Sequence, residues 1–287
     1  MIRPDDKKAW VERSIITKFR KTIWAPFLEA LRVYEMISGG DKIAVCISGG
    51  KDSMLLAKLF QQLKRHSDVN FDVEYICMNP GYNEANTKKI EDNAALLGVP
   101  IRFFKSDVFE AAELVGGESP CYMCARMRRG YLYARAKELG CNKIALGHHR
   151  SDVIETTLMG MFYGGQIQGM MPRIKSANFE GMELIRPMYC ISEEDIEHWR
   201  DYNGLEFIAC ACSFTEKVER GGQGRSVRQE MKELVKELKK RNPDVEKSIF
   251  KSIHNVQLDT LPEYKSGGVK HTFLEKFRGP ENSNGGI

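Results

Sequence analysis

Residues 48–53 read SGGKDS and follow the apolar run IAVCI. Gly49 and Gly50 let backbone N–H groups turn toward an anion, and Lys51 adds a full charge. Ser48 and Ser53 supply hydroxyl donors, and a helix starting at Ser53 aims its positive end at the same point. Together these groups suit phosphate. The order excludes the common phosphate-loop signature, GxxxxGK followed by Ser or Thr, because Asp52 separates Lys51 from Ser53. The dinucleotide fingerprint GxGxxG is absent from this turn too. A plain glycine turn explains the glycines but not the lysine and hydroxyls that coincide with them.

A second candidate group is ALGHHRSDVIETTLM, where Gly147 and His148 end an apolar run. Asp152 follows one turn on, and Glu155 lies three residues further along the same helical face. A carboxylate at that place can anchor the magnesium that a nucleoside triphosphate carries, and His148 can contact the nucleotide. A lone histidine is more often structural; the position at a strand end is what separates His148 from that case.

Eight cysteines form the third group. Cys46, Cys77, Cys141 and Cys190 sit in apolar or mixed runs and read as small buried hydrophobes. Cys121 and Cys124, in PCYMC, stand at a helix start that favours thiolate. Cys210 and Cys212 supply two further sulfurs far along the chain. Four thiolates can hold tetrahedral zinc, three can hold an iron–sulfur cluster with one open iron, and a CxxC pair can cycle as a disulfide. The spacing does not choose among these.

The elements that must position these groups alternate. KIAVCIS, FDVEYICMN, VPIRFFKS and NKIALGHH read as short buried strands. SMLLAKLFQQLKRH, NEANTKKIEDNAALLG, CARMRRGYLYARAKELG and SDVIETTLMGMFYGG read as the helices between and after them, the second stopped by Gly98. This alternation predicts an α/β fold, an open parallel sheet of Rossmann-like type covered by helices. The loops after the strands, SGGKDS and GHHRSD, then emerge at one sheet edge, with Met78 at the end of the second strand beside them. Residues 1–40 form an N-terminal helical extension with a break at Pro26, and 41–190 form the nucleotide domain. Residues 191–270 form a C-terminal helical segment, in which Ser192 caps ISEEDIEHWRDYNG, and 271–287 form a disordered tail.

The chain has 287 residues and a net charge of +4, which allows an RNA partner without arguing for one. No apolar run approaches the roughly 20 residues that span a bilayer, and MIRPDDKKAW has no signal core, so the expected location is the cytoplasm. Arg126, Arg128, Arg129 and Arg135 alternate with Tyr131 and Tyr133 beside the cysteine pair, a mixture that holds phosphates and stacks bases. Residues 217–251 carry eleven Lys/Arg against six Asp/Glu, which suits either RNA or a solvated helix face.

SGGKDS resembles the PP-loop of the ATP pyrophosphatases, which cleave ATP between its α and β phosphates and adenylate a substrate oxygen. Over about residues 15–260 the chain resembles the tRNA 2-thiocytidine synthetase (TtcA) family. The resemblance rests on SGGKDS, PCYMCARMRRGYLYARAKELG, KIALGHHRSDVIETTLMGMFYGGQIQGMMPRI, LIRPMYC and RQEMKELVKELKKRNPDVEKSIF. It implies ATP- and iron–sulfur-dependent replacement of oxygen by sulfur at C2 of cytidine 32 in tRNA. It implies a 4Fe-4S cluster on Cys121, Cys124 and Cys210, with Cys212 as the alternative third ligand because FIACAC is one residue shorter than the family's later pair. Lys51, Asp52 and Asp152 become the catalytic set, and Asp152 the magnesium anchor. Ser48, Gly49, Gly50, Lys51, Asp52, Ser53, Met78, Gly147 and His148 become the ATP set, and Arg126, Arg128 and Arg129 contact RNA. Where the family has two aspartates after GHHR, this chain has Ser151 and Asp152. Implied partners are tRNA and a sulfur donor, either a cysteine desulfurase or free sulfide, with a homodimer allowed. The rival readings are a PP-loop sulfurtransferase for another tRNA base or a small molecule, and a non-catalytic nucleotide-binding iron–sulfur sensor.

Overall fold

The computed structural model describes residues 7–79, 81–106, 120–208 and 226–278, and of 120–126 the backbone alone. Strand β1 (Lys42–Ile47) is buried along nearly its whole length and lies between β2 (Asp72–Asn79) and β4 (Lys143–Ala145), parallel to both. Its apolar, partly β-branched sequence suits a strand covered on two faces. β3 (Ile101–Lys105) pairs with β2 in parallel, and β6 (Glu183–Ile185) with β4. β5 (Arg173–Lys175) closes the edge antiparallel to β6. The sheet order is β3-β2-β1-β4-β6-β5. The expected parallel α/β sheet is present, with two short strands beyond the four legible in the sequence.

Helices α3 (Lys51–His66), α4 (Glu84–Leu97), α5 (Pro120–Glu138) and α6 (Arg150–Phe162) flank the sheet. Gly98 ends α4 at φ 62°, the left-handed conformation a helix stop needs. Ser192 caps α7 (Glu193–Tyr202) by accepting the Asp195 N–H. At the N-terminus, α1 (Lys7–Ile16), a π-turn (Arg20–Trp24) and α2 (Ala25–Val33) succeed one another. Pro26 lies in the first turn of α2, where a missing N–H costs nothing, and the chain breaks before it at 17–19. α1 is tied to the domain through Glu12. The fully buried Lys58 ammonium of α3 donates to Glu12 at 2.7 Å and to the Leu97 carbonyl at 2.7 Å. Burial pushes that ammonium down to about 8 against the pull of Glu12.

The chain forms two compact units, Met1–Leu234 and Val235–Ile287, with the boundary inside α8 (Val227–Arg241). The second unit contains α9 (Val245–Ser252) and the hairpin of β7 (Glu263–Ser266) and β8 (Val269–Thr272). Gly267 and Gly268 turn this hairpin with positive φ at both positions, as a two-residue turn demands. A short helix, α10 (Phe273–Phe277), follows. Residues 271–278, assigned by sequence to the tail, thus complete β8 and form α10; 279–287 lie outside the described residues. No helix among the described residues is long and apolar enough to cross a membrane.

Candidate active site

The loop after β1 is held by its own side chains. The Ser48 N–H donates to Ser53 Oγ at 3.1 Å, the Ser48 hydroxyl donates to the same oxygen at 3.2 Å, and Ser53 Oγ donates to the Gly50 carbonyl at 3.0 Å. Ser53 is 4% exposed, so its hydroxyl shapes the loop from beneath. Gly49 has φ 85°, and a Cβ there would sit 2.5 Å from Ile90 Cγ1. Gly147, after β4, presses against the same loop: its Cβ would lie 3.2 Å from both Asp52 C and Ser53 N. The two sequence elements therefore meet with Gly147 against the Asp52–Ser53 backbone, an approach a side chain at 147 would obstruct.

A cleft of about 360 Å³ opens at this meeting point. Its lining includes Ser48, Asp52, Ser53, Met78, Gly147 and His148 from the expected nucleotide set and Asp152, the expected magnesium anchor, with Arg128 and Arg129 of α5 and the thiol-bearing Cys46. Gly49, Gly50 and Lys51 belong to the same loop but do not line the cleft. His148 is pushed down to about 4 by burial, outweighing the pull of Asp152, so it is a neutral imidazole near pH 7. Its Nδ1 is buried and has no hydrogen-bond partner among the described residues. That leaves a polar atom for a ligand to satisfy.

Lys51 is held beside the cleft by two carboxylates. Its ammonium lies 3.0 Å from Glu193 Oε1 and 3.2 Å from Asp52 Oδ1. Burial works to lower its pKa, and the two carboxylates overcome that and raise it. Glu193, in the first turn of α7, also holds Lys232 at 2.6 Å. Burial would raise the Glu193 carboxyl; Lys232 and Lys51 outweigh it and bring it down to about 2. Asp152 accepts the His149 N–H at 3.0 Å through Oδ2, and its Oδ1 lies 2.9 Å from Arg228 Nη1. The same nitrogen is 3.1 Å from Glu155 Oε2. Ser151 takes no part in this cation site; its hydroxyl accepts the Glu193 N–H at 3.3 Å.

Sequence reasoning did not single out Glu193, Arg228, Lys232 or Arg186. Glu193 reads as an ordinary acidic first-turn residue, and the two cations lie on an alternating helix. Arg186, just past β6, is 5% exposed; its Nη1 donates to the Met171 carbonyl and its Nε has no hydrogen-bond partner among the described residues. Burial and the nearby Arg129 pull this guanidinium down to about 10. A buried arginine beside a second one is an anion-seeking arrangement.

Cys46, Cys77 and Cys141 are buried and Cys190 half-buried. Burial raises all four thiols, Cys77 up to about 12 and Cys141 and Cys190 up to about 11. They are inert packing groups, as expected. Cys121 and Cys124 fall in the first turn of α5, three residues apart, but their side chains and that of Arg126 lie outside the described residues. Cys210 and Cys212 lie outside them entirely, and with them the identity of the third ligand. Among the described residues no three metal-ligating side chains cluster.

Residues 21–231 match the PP-loop domain model ATP_bind_3. The tRNA-cytidine(32) 2-sulfurtransferase of Paraburkholderia phytofirmans is 32% identical over 270 residues, covering 92% of this chain and 76% of that protein. The enzyme of the same name from Aliivibrio salmonicida is 34% identical over 256 residues, covering 88% and 81%. Among solved structures, the U34-tRNA thiolase NcsA from Methanococcus maripaludis with its 4Fe-4S cluster superposes with a TM-score of 0.63 at 20% identity, over 81% of this chain and 79% of that one. At that identity the likeness is one of fold.

Proposed function

The chain belongs to the PP-loop family and, within it, to the tRNA-cytidine(32) 2-sulfurtransferases, and from that premise we propose that it converts cytidine 32 of tRNA to 2-thiocytidine at the expense of ATP. The C2 oxygen attacks the α phosphorus, pyrophosphate leaves, and a sulfur nucleophile then adds at C2 and expels AMP with the original oxygen. The observation that carries this reading is the cleft in which SGGKDS, the GHH element and two arginines of the helix begun by PCYMC converge.

The loop N–H groups at 48–53, with Lys51, hold the phosphates, and charge developing on pyrophosphate is stabilised there. Lys51 is poised for this by its ion pairs, which a phosphate can replace one for one. His148, neutral at working pH, offers a hydrogen bond to the nucleotide or base without adding charge. Arg128 and Arg129 take RNA phosphate or the extruded base beside the adenylate. Asp152 and Glu155 already hold a guanidinium between them, so their oxygens fit a hard cation, and magnesium would be held there to neutralise the triphosphate. Cys121 and Cys124, with Cys210 or Cys212, would hold a 4Fe-4S cluster, which when bound would present donor-derived sulfur as the nucleophile. The cysteine pair stands in the first turn of the helix that carries Arg128 and Arg129, about one to two turns before them, so a cluster held there would share that helix with the cleft. The proposed setting is cytoplasmic, with a cysteine desulfurase or free sulfide as donor, a homodimer as an allowed assembly, and 41–190 as the nucleotide domain.

The test is the nucleoside profile of total tRNA from cells with and without the gene. Loss of 2-thiocytidine is the expected result. Its persistence, or loss of a different thionucleoside, overturns the substrate while leaving ATP chemistry standing. Purified without oxygen, the protein is expected to be brown with broad absorbance near about 400 nm; a colourless protein containing zinc overturns the cluster.

A further inference from the structure

Arg228 and Lys232 lie one turn apart on α8 and face the same way. Arg228 joins Asp152 and Glu155, and Lys232 joins Glu193, whose other oxygen joins Lys51 of the phosphate loop. Four carboxylates (Asp52, Asp152, Glu155, Glu193) thus meet three cations (Lys51, Arg228, Lys232), leaving a net charge of −1 in the group. The Glu155 side chain is 7% exposed and that of Asp152 20%, so the carboxylates are fixed and need a cation nearby. The Arg228 side chain is 44% exposed, so the guanidinium can swing out into water. A divalent ion entering with Arg228 in place would set two cations against the same oxygens, where like charges about 4 Å apart repel strongly.

We propose that Arg228 is a partner-exchanging residue of the nucleotide site. Without nucleotide it holds the cation position between Asp152 and Glu155; when a metal–triphosphate arrives, the divalent ion takes those oxygens and the guanidinium moves to phosphate oxygens. The ion pairs that Arg228 gives up are replaced by new ones on both sides, so no group is left buried and unpaired. Lys232 stays on Glu193 and keeps α8 beside the loop as Lys51 turns to phosphate. This inference rests on the proposed use of Asp152 as metal anchor, but not on which base is thiolated.

The test uses the whole purified protein and two measurements. Mn²⁺ binding without nucleotide is read by electron paramagnetic resonance, and binding of α,β-methylene ATP is read with Mn²⁺ present. Arg228→Ala is expected to bind Mn²⁺ alone about tenfold more tightly and the metal–nucleotide about tenfold more weakly. Arg228→Lys, which keeps the charge and the fold but loses the fork, is expected to fall between wild type and Arg228→Ala in both. Opposite signs are what a merely structural arginine would not produce. Shifts of the same sign, unchanged Mn²⁺ affinity in both variants, or Mn²⁺ binding that survives Asp152→Asn all overturn the exchange. Opposite shifts together with 2-thiocytidine that persists in cells lacking the gene overturn the substrate and leave the exchange intact.

Discussion

Two charged networks occupy the two ends of the strands, and they differ in how completely their atoms are used. At the starting end, before β1 and β4, Lys143 donates to Asp41 at 2.6 Å and to the Met36 carbonyl at 3.1 Å. Asp41 also accepts from Asn142 at 2.8 Å and from the Ser38 N–H at 2.7 Å. Burial would raise the Asp41 carboxyl, and these bonds outweigh it and hold it below its usual range. The lysine and aspartate side chains are 4% and 7% exposed. At the finishing end, Lys51, Arg228 and Lys232 are partly exposed and their carboxylate partners can be replaced by phosphate, while His148 Nδ1 has no hydrogen-bond partner among the described residues. The same residue types build structure where every bond is made internally, and bind ligands where some are left for exchange.

The sharpest way to break this contrast is at the starting end. Asp41→Ala takes the 2.6 Å partner from the buried Lys143 ammonium and leaves only the longer 3.6 Å pairing with Glu183, and denaturant unfolding is expected to show a loss of about 3 kcal/mol with activity per folded molecule unchanged. Lys51→Ala is expected to behave oppositely. Pyrophosphate release in the presence of tRNA should fall about 10²–10³-fold, while stability changes by less than about 1 kcal/mol because Glu193 keeps Lys232. Comparable stability losses in the two variants would erase the distinction. Gly49→Ala places a Cβ 2.5 Å from Ile90 at positive φ, and a loss of about 1–3 kcal/mol is expected by the same unfolding measurement. A smaller effect at the finishing end is read by pH. The Glu193 carboxyl is brought from 4.5 to about 2 in the folded protein. The stability it contributes is present above pH 4.5 and lost as pH falls toward 2. Melting temperatures followed through that window should fall less for Glu193→Gln than for the parent protein; equal slopes would remove Glu193 from the network.

Much of the framework was readable because its causes are local. β1, the glycine turn and α3 follow from an apolar run, two glycines and an amphipathic repeat within 25 residues, Lys42 to His66. Gly98 as a stop and Ser192 as a cap are likewise decided by their neighbours. β5 and β6 escaped notice because three residues are too few to display a period, and their pairing is what makes them strands. The π-turn before Pro26 was hidden by the helical spacing of its stretch, and the β7–β8 hairpin by strands of four residues divided by the expected boundary at 270.

By itself the sequence determined which chemistry is available: a pyrophosphate-type loop with Asp52 inside it, a strand-end GHH, and thiolate pairs that a family resemblance turns toward sulfur transfer. Those are properties of residue type and short spacing, which the chain carries before it folds. Tertiary structure decided which charges meet. Glu193 joins Lys51 across 142 positions, and Arg228 joins Asp152 across 76. Neither pairing has a signature along the chain, because ion pairs depend on distance in space and on the burial that removes competing water.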